Sequence, residues 1–212
     1  MGTSRRSGFT LIELLAVLVI LSILTAFLVT NILAARTTVE EQATRATLTQ
    51  IAAALSEYEG EKGDWPPSSY PDGWGAAPDA TNVGAEVLYM TICAEGEIGY
   101  GKFDEAPANV EGDRSLLRVK GHSSQELFEI ADAWGNPIAY FHHRDYGRED
   151  SYQTYDGETG EVVTSVVRAR KNARTGRWYE PLGFQLVSAG PNGVFDKPGS
   201  DGDDDITNFK QQ

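Results

Sequence analysis

Residues 9–59 contain neither glycine nor proline, and this long gap in helix breakers sets the architecture of the chain. Glycine and proline are the residues that interrupt helices most strongly, and average usage would place roughly six of them in a stretch of this length. A single long helix is therefore predicted over this stretch. Gly60 and Gly63, followed by Pro66 and Pro67, mark its expected end.

The first half of the predicted helix differs from the second half in charge. Residues 14–35 carry no charged side chain, and at about 1.5 Å per residue they would extend about 33 Å as a helix. That length matches the hydrocarbon core of a bilayer, so residues 9–35 are predicted to form a transmembrane helix. Residues 36–60 continue with apolar positions about 3.6 residues apart, which predicts an amphipathic half that packs on a globular domain. The apolar positions are Val39, Leu48, Ile51, Leu55 and Tyr58.

A cleaved secretory signal peptide is the alternative interpretation of this apolar segment. The segment is longer than a usual signal-peptide core, and Ile32 and Leu33 occupy positions before its final alanine pair where cleavage requires small residues. Glu13 also lies inside the apolar region, where a carboxylate is unfavourable unless it has a partner. A permanent helix with a partner for Glu13 is therefore favoured.

The segment around Glu13 carries a resemblance to a known family. Residues 5–15 read RRSGFTLIELL, which resembles the class III leader and mature N-terminus of the type IV pilin and type II secretion pseudopilin superfamily. The resemblance implies that residues 1–8 are a leader, which a prepilin peptidase removes after Gly8 before it methylates Phe9. It also implies that Glu13 pairs with the amino group of a neighbouring subunit as a filament grows.

The basic residues before the helix predict its orientation. Arg5 and Arg6 place the N-terminus in the cytoplasm by the positive-inside rule, and residues from 36 onward then lie in the periplasm. The chain is expected to be a single-pass protein of the bacterial inner membrane and part of a periplasmic filament once assembled. A plain membrane anchor that holds an unrelated periplasmic domain is the alternative.

The remaining chain predicts a globular region of mixed composition. Clusters of glycine, proline and polar residues indicate a variable, loop-rich region at 61–131, with short helices at 84–93 and 123–130. Residues 132–212 show strand patterns separated by turn sequences. The strands are expected at 137–141, 160–167, 178–179 and 184–188. The predicted fold class is α+β and pilin-like, with the long helix packed on a small antiparallel sheet and a C-terminal metal-binding loop.

Two C-terminal stretches are similar to the major, G-type pseudopilins. One is the sequence DAWGNP at 132–137, interpreted as a structural turn, and the other is SAGPNG at 188–193, which an acidic loop follows. In that subgroup the C-terminal loop holds calcium, and the resemblance implies Ca2+ here. The candidate ligands are Asn192, Asp201, Asp203, Asp204 and Asp205. Asp196 adds a further carboxylate to a loop rich in the oxygen ligands that calcium prefers, and a solvated acidic loop is the alternative.

Catalytic and nucleic-acid signatures are missing from the sequence. It contains no HExxH, CxxC, GxSxG or glycine-rich phosphate motif, so no enzymatic activity is predicted. The 31 acidic against 18 basic residues disfavour nucleic-acid binding. Cys93 is interpreted as a buried small apolar residue, with a nucleophile as the alternative. His142 with His143 is interpreted as an exposed strand end, with a metal pair as the alternative. The basic cluster at 168–177 is interpreted as a solvated hairpin tip, or as a contact for the acidic loop of a neighbouring subunit.

Together these features predict a structural subunit of the periplasmic pseudopilus of a type II secretion system, which supports protein export. The expected partners are further copies of the chain, minor pseudopilins, the prepilin peptidase, and the inner-membrane assembly platform with its ATPase. One alternative is a type IV pilin for adhesion, motility or DNA uptake, against which the lack of a C-terminal cysteine pair argues. The other is a membrane-anchored periplasmic enzyme or binding domain.

Overall fold

A computed structural model of the chain describes residues 10–71, 74, 79–93, 100, 107–115, 122–197, 200 and 203–210. Two α-helices and five β-strands lie within these ranges. The chain divides into two compact units, Met1–Val39 and Glu40–Gln212. The long N-terminal helix and the small antiparallel sheets confirm the α+β class expected from the sequence.

Helix α1, Leu11–Lys62, is the long helix that the gap in glycine and proline predicts. It ends at Lys62, and the next residue, Gly63, has a φ of 78° in the left-handed region and donates its N–H to the Glu59 carbonyl at 2.7 Å. Across the described ranges, no helix combines the length and the apolar character that a bilayer crossing requires. The transmembrane role of residues 9–35 stays a prediction.

The apolar side chains of the first unit are exposed. Where the structure describes large apolar side chains between Leu11 and Ile32, their exposed fractions run from 49% at Val17 to 84% at Leu11. An apolar surface of this extent is unfavourable in water. It is therefore more stable when other apolar groups cover it.

The main core of the second unit forms along the later part of α1. Leu48, Ile51 and Leu55 are at most 2% exposed, as the predicted amphipathic stripe requires, whereas Val39 is exposed. These side chains share one apolar cluster with α2, Val83–Ile92, and with strand residues. The other buried members are Ala54, Leu88, Ile92, Ile130, Ile138, Tyr140, Phe184, Leu186 and Ile206.

The loop-rich region contains one of the two predicted helices. Helix α2 begins at Val83 and ends at Ile92, within one residue of the prediction at each end. The helix predicted at 123–130 is wrong, because this segment is extended and Glu129 exchanges both backbone hydrogen bonds with Ala108 at 2.9 Å. Pairing with a distant segment outweighs local helix propensity here.

The described strands form two antiparallel sheets instead of the single sheet expected. The strands are β1 (Ala139–His142), β2 (Glu149–Tyr155), β3 (Val162–Arg168), β4 (Phe184–Ser188) and β5 (Ile206–Thr207). One sheet has the order β1-β4-β5, and β2 pairs with β3 in the other. The strand predicted at 178–179 is wrong, since Trp178 forms only an isolated bridge with Lys171.

Strand β2 is absent from the sequence-based prediction. Its register with β3 places Glu149 opposite Arg168. The buried positions of β2 are Asp150, Tyr152 and Thr154. Because two of these three side chains are polar, the alternation of apolar and polar residues that normally indicates a half-buried strand is hidden.

The DAWGNP turn connects β4 to α1 through side-chain hydrogen bonds. Oδ1 of Asp132 accepts from the backbone N–H groups of Trp134 and Asn136 at 3.0 Å each, and Oδ2 accepts from the Ser188 hydroxyl at 2.7 Å. A backbone N–H of the turn donates to Oγ1 of Thr44 at 3.2 Å. These bonds agree with the structural role predicted for the turn.

Candidate functional site

The predicted N-terminal site consists of Gly8, Phe9 and Glu13, and the structure describes Glu13. Gly8 and Phe9 lie outside the described residues. The Glu13 carboxylate accepts hydrogen bonds from the backbone N–H of Thr10 at 2.8 Å and from its hydroxyl at 2.7 Å. In return, the backbone N–H of Glu13 donates to Oγ1 of Thr10 at 3.3 Å.

This reciprocal pair is a capping box at the start of α1. Helix starts leave backbone N–H groups without intrahelical acceptors, and a threonine followed three residues later by a glutamate satisfies two of them. In a single chain, the Glu13 carboxylate therefore has an intrachain partner. The Thr10-x-x-Glu13 spacing carries this signal in the sequence, although our sequence analysis treated Glu13 only as a contact to another subunit.

Two glycines shape the loop that precedes the acidic C-terminal segment. Gly190 and Gly193 have φ values of 67° and 70°, a backbone conformation that other residues rarely adopt. A Cβ atom on Gly190 would clash with the Asp204 carbonyl oxygen, and one on Gly193 would clash with the Tyr155 carbonyl oxygen. Glycine at these positions lets the loop pack directly on the acidic segment and on β2.

Three carboxylates converge in the acidic C-terminal loop. Asp196, Asp203 and Asp205 each place an oxygen within 4.8 Å of the other two. Asp204 is adjacent, and its Oδ2 accepts from the backbone N–H of Asn192 at 3.1 Å. Burial raises the pKa of Asp204. Among the described residues, Oδ1 of Asp204 and Oδ1 of Asp205 are buried without a hydrogen-bond donor.

The other predicted ligands have different surroundings. The side-chain oxygen of Asn192 accepts from the backbone N–H of Val194 at 2.6 Å, and its amide nitrogen donates to Asp196 at 3.0 Å. This places Asn192 in hydrogen bonds that organise the loop. Asp201 lies outside the described residues.

Arg170 belongs to the acidic loop, so the interpretation of the basic cluster as a solvated hairpin tip is wrong for this residue. Arg170 is 3% exposed. Its guanidinium donates to the Asp205 carboxylate, to Asp203 at 3.4 Å, and to the Asp196 carbonyl oxygen at 3.4 Å. Its backbone N–H donates to Oε1 of Gln185 at 2.6 Å, which fixes the residue beside β4.

The oxygen ligands that the loop offers fit a hard cation such as calcium. Asp196, Asp203 and Asp205 supply carboxylate oxygens beside the Arg170 guanidinium, and two buried carboxylate oxygens of the loop have no donor within the described structure. Arg170 balances only one of the negative charges of Asp196, Asp203, Asp204 and Asp205. The calcium ion and its ligands stay a prediction.

Burial shapes the surroundings of His142 and Cys93. His142 is 4% exposed, contrary to the exposed strand end expected, and burial lowers its pKa. Its Nε2 lies 3.4 Å from Oδ1 of Asp64, and its Nδ1 accepts from the backbone N–H of Arg144. Burial raises the pKa of Cys93 to about 12, which disfavours the reactive thiolate at neutral pH.

Comparison with known proteins identifies the N-terminal segment. Residues 3–29 match the family model of the prokaryotic N-terminal methylation motif. This motif is typical of type IV pilins and pseudopilins, and it contains Gly8, Phe9 and Glu13. A search of curated proteins and a search of solved structures each returned no match. This match confirms the resemblance of residues 5–15 to type IV pilins and pseudopilins as a group.

Proposed function

We propose that this chain is a structural subunit of the periplasmic pseudopilus of a type II secretion system, most similar to the major pseudopilin, and that it supports protein export without catalysing a reaction. The observation that carries the proposal is the methylation motif over residues 3–29. The long α1 and the small antiparallel sheets are compatible with a pilin-like fold. The exposed apolar side chains of the first unit supply a surface for lipid and then for neighbouring helices to cover.

In this proposal the chain enters the inner membrane with its N-terminus in the cytoplasm and its C-terminal domain in the periplasm. The prepilin peptidase removes residues 1–8 and methylates the new N-terminus at Phe9. The assembly platform and its ATPase then add the subunit to a filament of further copies and minor pseudopilins. Nucleic acid has no role.

Glu13 exchanges its partner during this assembly. In a single chain its carboxylate caps Thr10, and in the filament it binds the Phe9 amino group of a neighbouring subunit. A carboxylate and an amine are each unfavourable in an apolar environment when alone, and much less so as a pair. The pair therefore fixes the axial position of each added subunit.

Calcium in the acidic C-terminal loop is the second part of the proposal. A bound ion would neutralise the carboxylates that Arg170 leaves unbalanced and hold the loop in one shape for lateral contacts between subunits. Its proposed ligands come from Asn192, Asp201, Asp203, Asp204 and Asp205. The convergence of Asp203 and Asp205 with Asp196 supports this assignment.

We expect a chelator to lower the melting temperature of the full-length chain in detergent and excess calcium to restore it. At free calcium about 100-fold above Kd, one site contributes about 2.7 kcal/mol. Asp203→Asn should show a smaller calcium-induced shift, whereas Glu158→Gln, which changes an exposed carboxylate outside the loop, should show the wild-type shift. Equal calcium shifts in Asp203→Asn and the wild type would contradict a calcium site in this loop.

We expect Gly8→Ala to block leader removal, because the peptidase is proposed to cut after this glycine. The variant should accumulate as a precursor that retains residues 1–8, seen as a heavier species by mass spectrometry of the membrane fraction. Ser7→Ala, one residue earlier, should be processed normally. Normal processing of Gly8→Ala would remove the leader assignment.

A further inference from the structure

A second acidic cluster lies in the globular unit and involves none of the ligands predicted from the sequence. It consists of Glu86, Glu111 and Glu129, each of which places a carboxylate oxygen within 4.8 Å of the other two. Glu86 is in the first turn of α2. Glu111 lies in a bend that follows Ala108, Glu129 lies on an extended segment, and the two segments pair through the bridge between Ala108 and Glu129.

Glu86 and Glu129 are buried and Glu111 is partly buried, and each carboxylate accepts a hydrogen bond from Tyr70 or Asn82. Glu86 is 1% exposed and Glu129 is 0% exposed. Oε2 of Glu86 accepts from the Tyr70 hydroxyl at 2.9 Å. The side-chain amide of Asn82 donates to Glu111 at 2.5 Å and to Glu129 at 3.3 Å. Asn82 is itself fixed by a hydrogen bond from a backbone N–H of β2 to its side-chain oxygen.

One oxygen of each carboxylate has no donor from outside the cluster, and the side chains of Glu111 and Glu129 interact with each other. Oε1 of Glu86, Oε1 of Glu111 and Oε2 of Glu129 are buried without a hydrogen bond, and so are both oxygens of the nearby Asp113. Buried polar atoms in folded proteins almost always have a partner, and the exceptions often mark a missing ion or water. Here the oxygens without partners belong to the same group of side chains.

Basic side chains do not neutralise this cluster. In the ranges that the structure describes, the ion pairs of Lys, Arg and His involve none of the three glutamates. Burial, and then repulsion from neighbouring carboxylates, raise the pKa of Glu86 to about 9 and that of Glu129 to about 10. A bound cation would offset the repulsion between these carboxylates.

We propose that Glu86, Glu111 and Glu129 form a binding site for a divalent calcium ion in the globular unit, with Asp113 as a fourth carboxylate. The converging groups are all oxygens, and neither histidine nor cysteine belongs to the cluster, so the chemistry favours a hard cation over zinc or copper. The ion would join α2 to the two segments that carry the other carboxylates. The site does not depend on the proposed role in a filament.

Calcium binding to the full-length chain in detergent tests this site. After chelator treatment and removal of the chelator, native mass spectrometry with calcium chloride should show that Glu129→Gln binds one calcium ion fewer per chain than the wild type. Glutamine keeps the shape and can still accept the hydrogen bond from Asn82, so its metal-free melting temperature should be equal to or above that of the wild type. Glu86→Gln, on a different element, should lose the same ion.

Two controls separate this site from the C-terminal loop. Glu126→Gln changes an exposed carboxylate on the same extended segment and should bind as many calcium ions as the wild type. Asp203→Asn should retain the ion at the glutamate cluster even if the C-terminal loop binds none. If both Glu129→Gln and Glu86→Gln bind as much calcium as the wild type, with the same calcium-induced rise in melting temperature, the proposed site is overturned.

Discussion

Replacing Glu13 with glutamine is expected to abolish filament assembly while leaving leader removal at Gly8 intact. Glutamine at this position can still accept hydrogen bonds from Thr10, so the capping box and the start of α1 should survive. What the substitution removes is the negative charge. An uncharged amide cannot neutralise the amino group of a neighbouring Phe9 in an apolar filament core.

The measurement for Glu13→Gln is the yield of filaments isolated from cells, seen by electron microscopy and by immunoblot against the chain. Glu57→Gln changes an exposed carboxylate on the same helix and should assemble like the wild type. Processed Glu13→Gln protein should accumulate in the membrane. If this variant forms filaments in normal amounts, the ion pair between subunits is not what drives their assembly.

Replacing Arg170 with methionine should reduce the free energy of unfolding by about 3–5 kcal/mol, because removing one partner of a buried ion pair leaves the other charge uncompensated. The side chains of Arg170 and Asp205 are 3% and 0% exposed. For a chain of this size, the expected fall in melting temperature is roughly 6–20 °C. Urea denaturation in chelator measures the change without any contribution from calcium.

Arg168 offers a matched control for Arg170. It pairs with Glu149 on the protein surface, where the two side chains are 65% and 53% exposed. Exposed ion pairs contribute about 0–1 kcal/mol, so Arg168→Met should change stability little. Adding Asp205→Asn to Arg170→Met should recover part of the loss, because it removes the charge left without a partner. Equal stabilities of Arg168→Met and Arg170→Met would contradict the buried role of Arg170.

The sequence predicts those elements whose signal is local. Helix α1 follows from the gap in glycine and proline, and α2 follows from a short apolar segment within a loop-rich region. Strands β3 and β4 have β-branched or apolar residues in succession. Each of these patterns is complete within a few neighbouring residues, so no knowledge of the tertiary structure is needed to detect it.

Tertiary contacts decide the elements that the sequence does not predict. Strand β2 buries Asp150 and Thr154, and Asp150 is acceptable inside only because Arg148 donates to it. The segment around Glu129 is extended because it pairs with Ala108. Arg148 is close to Asp150 in sequence, but it also donates to the distant Ser68 carbonyl oxygen at 2.6 Å. Neither this contact nor the pairing with Ala108 can be identified from local residue patterns.

In the candidate sites too, the parts with a local signal are predicted from the sequence, and the parts that tertiary contacts assemble are not. The methylation motif around Glu13 is contiguous, and the family comparison confirms that part of the prediction. By contrast, Arg170 and Asp205 are distant in sequence, and Arg170 has the surroundings of a surface hairpin in the sequence alone. The glutamate cluster likewise combines α2 with a bend at Glu111 and an extended segment at Glu129, so only the fold brings its carboxylates together.

Mass spectrometry of the N-terminus of the wild-type chain, isolated from the membrane of its native cells, tests the central claim most directly. The account predicts a chain that begins at Phe9 and carries one methyl group on its amino nitrogen. A chain that retains residues 1–8, that begins after residue 35, or that begins at an unmethylated Phe9 would contradict it.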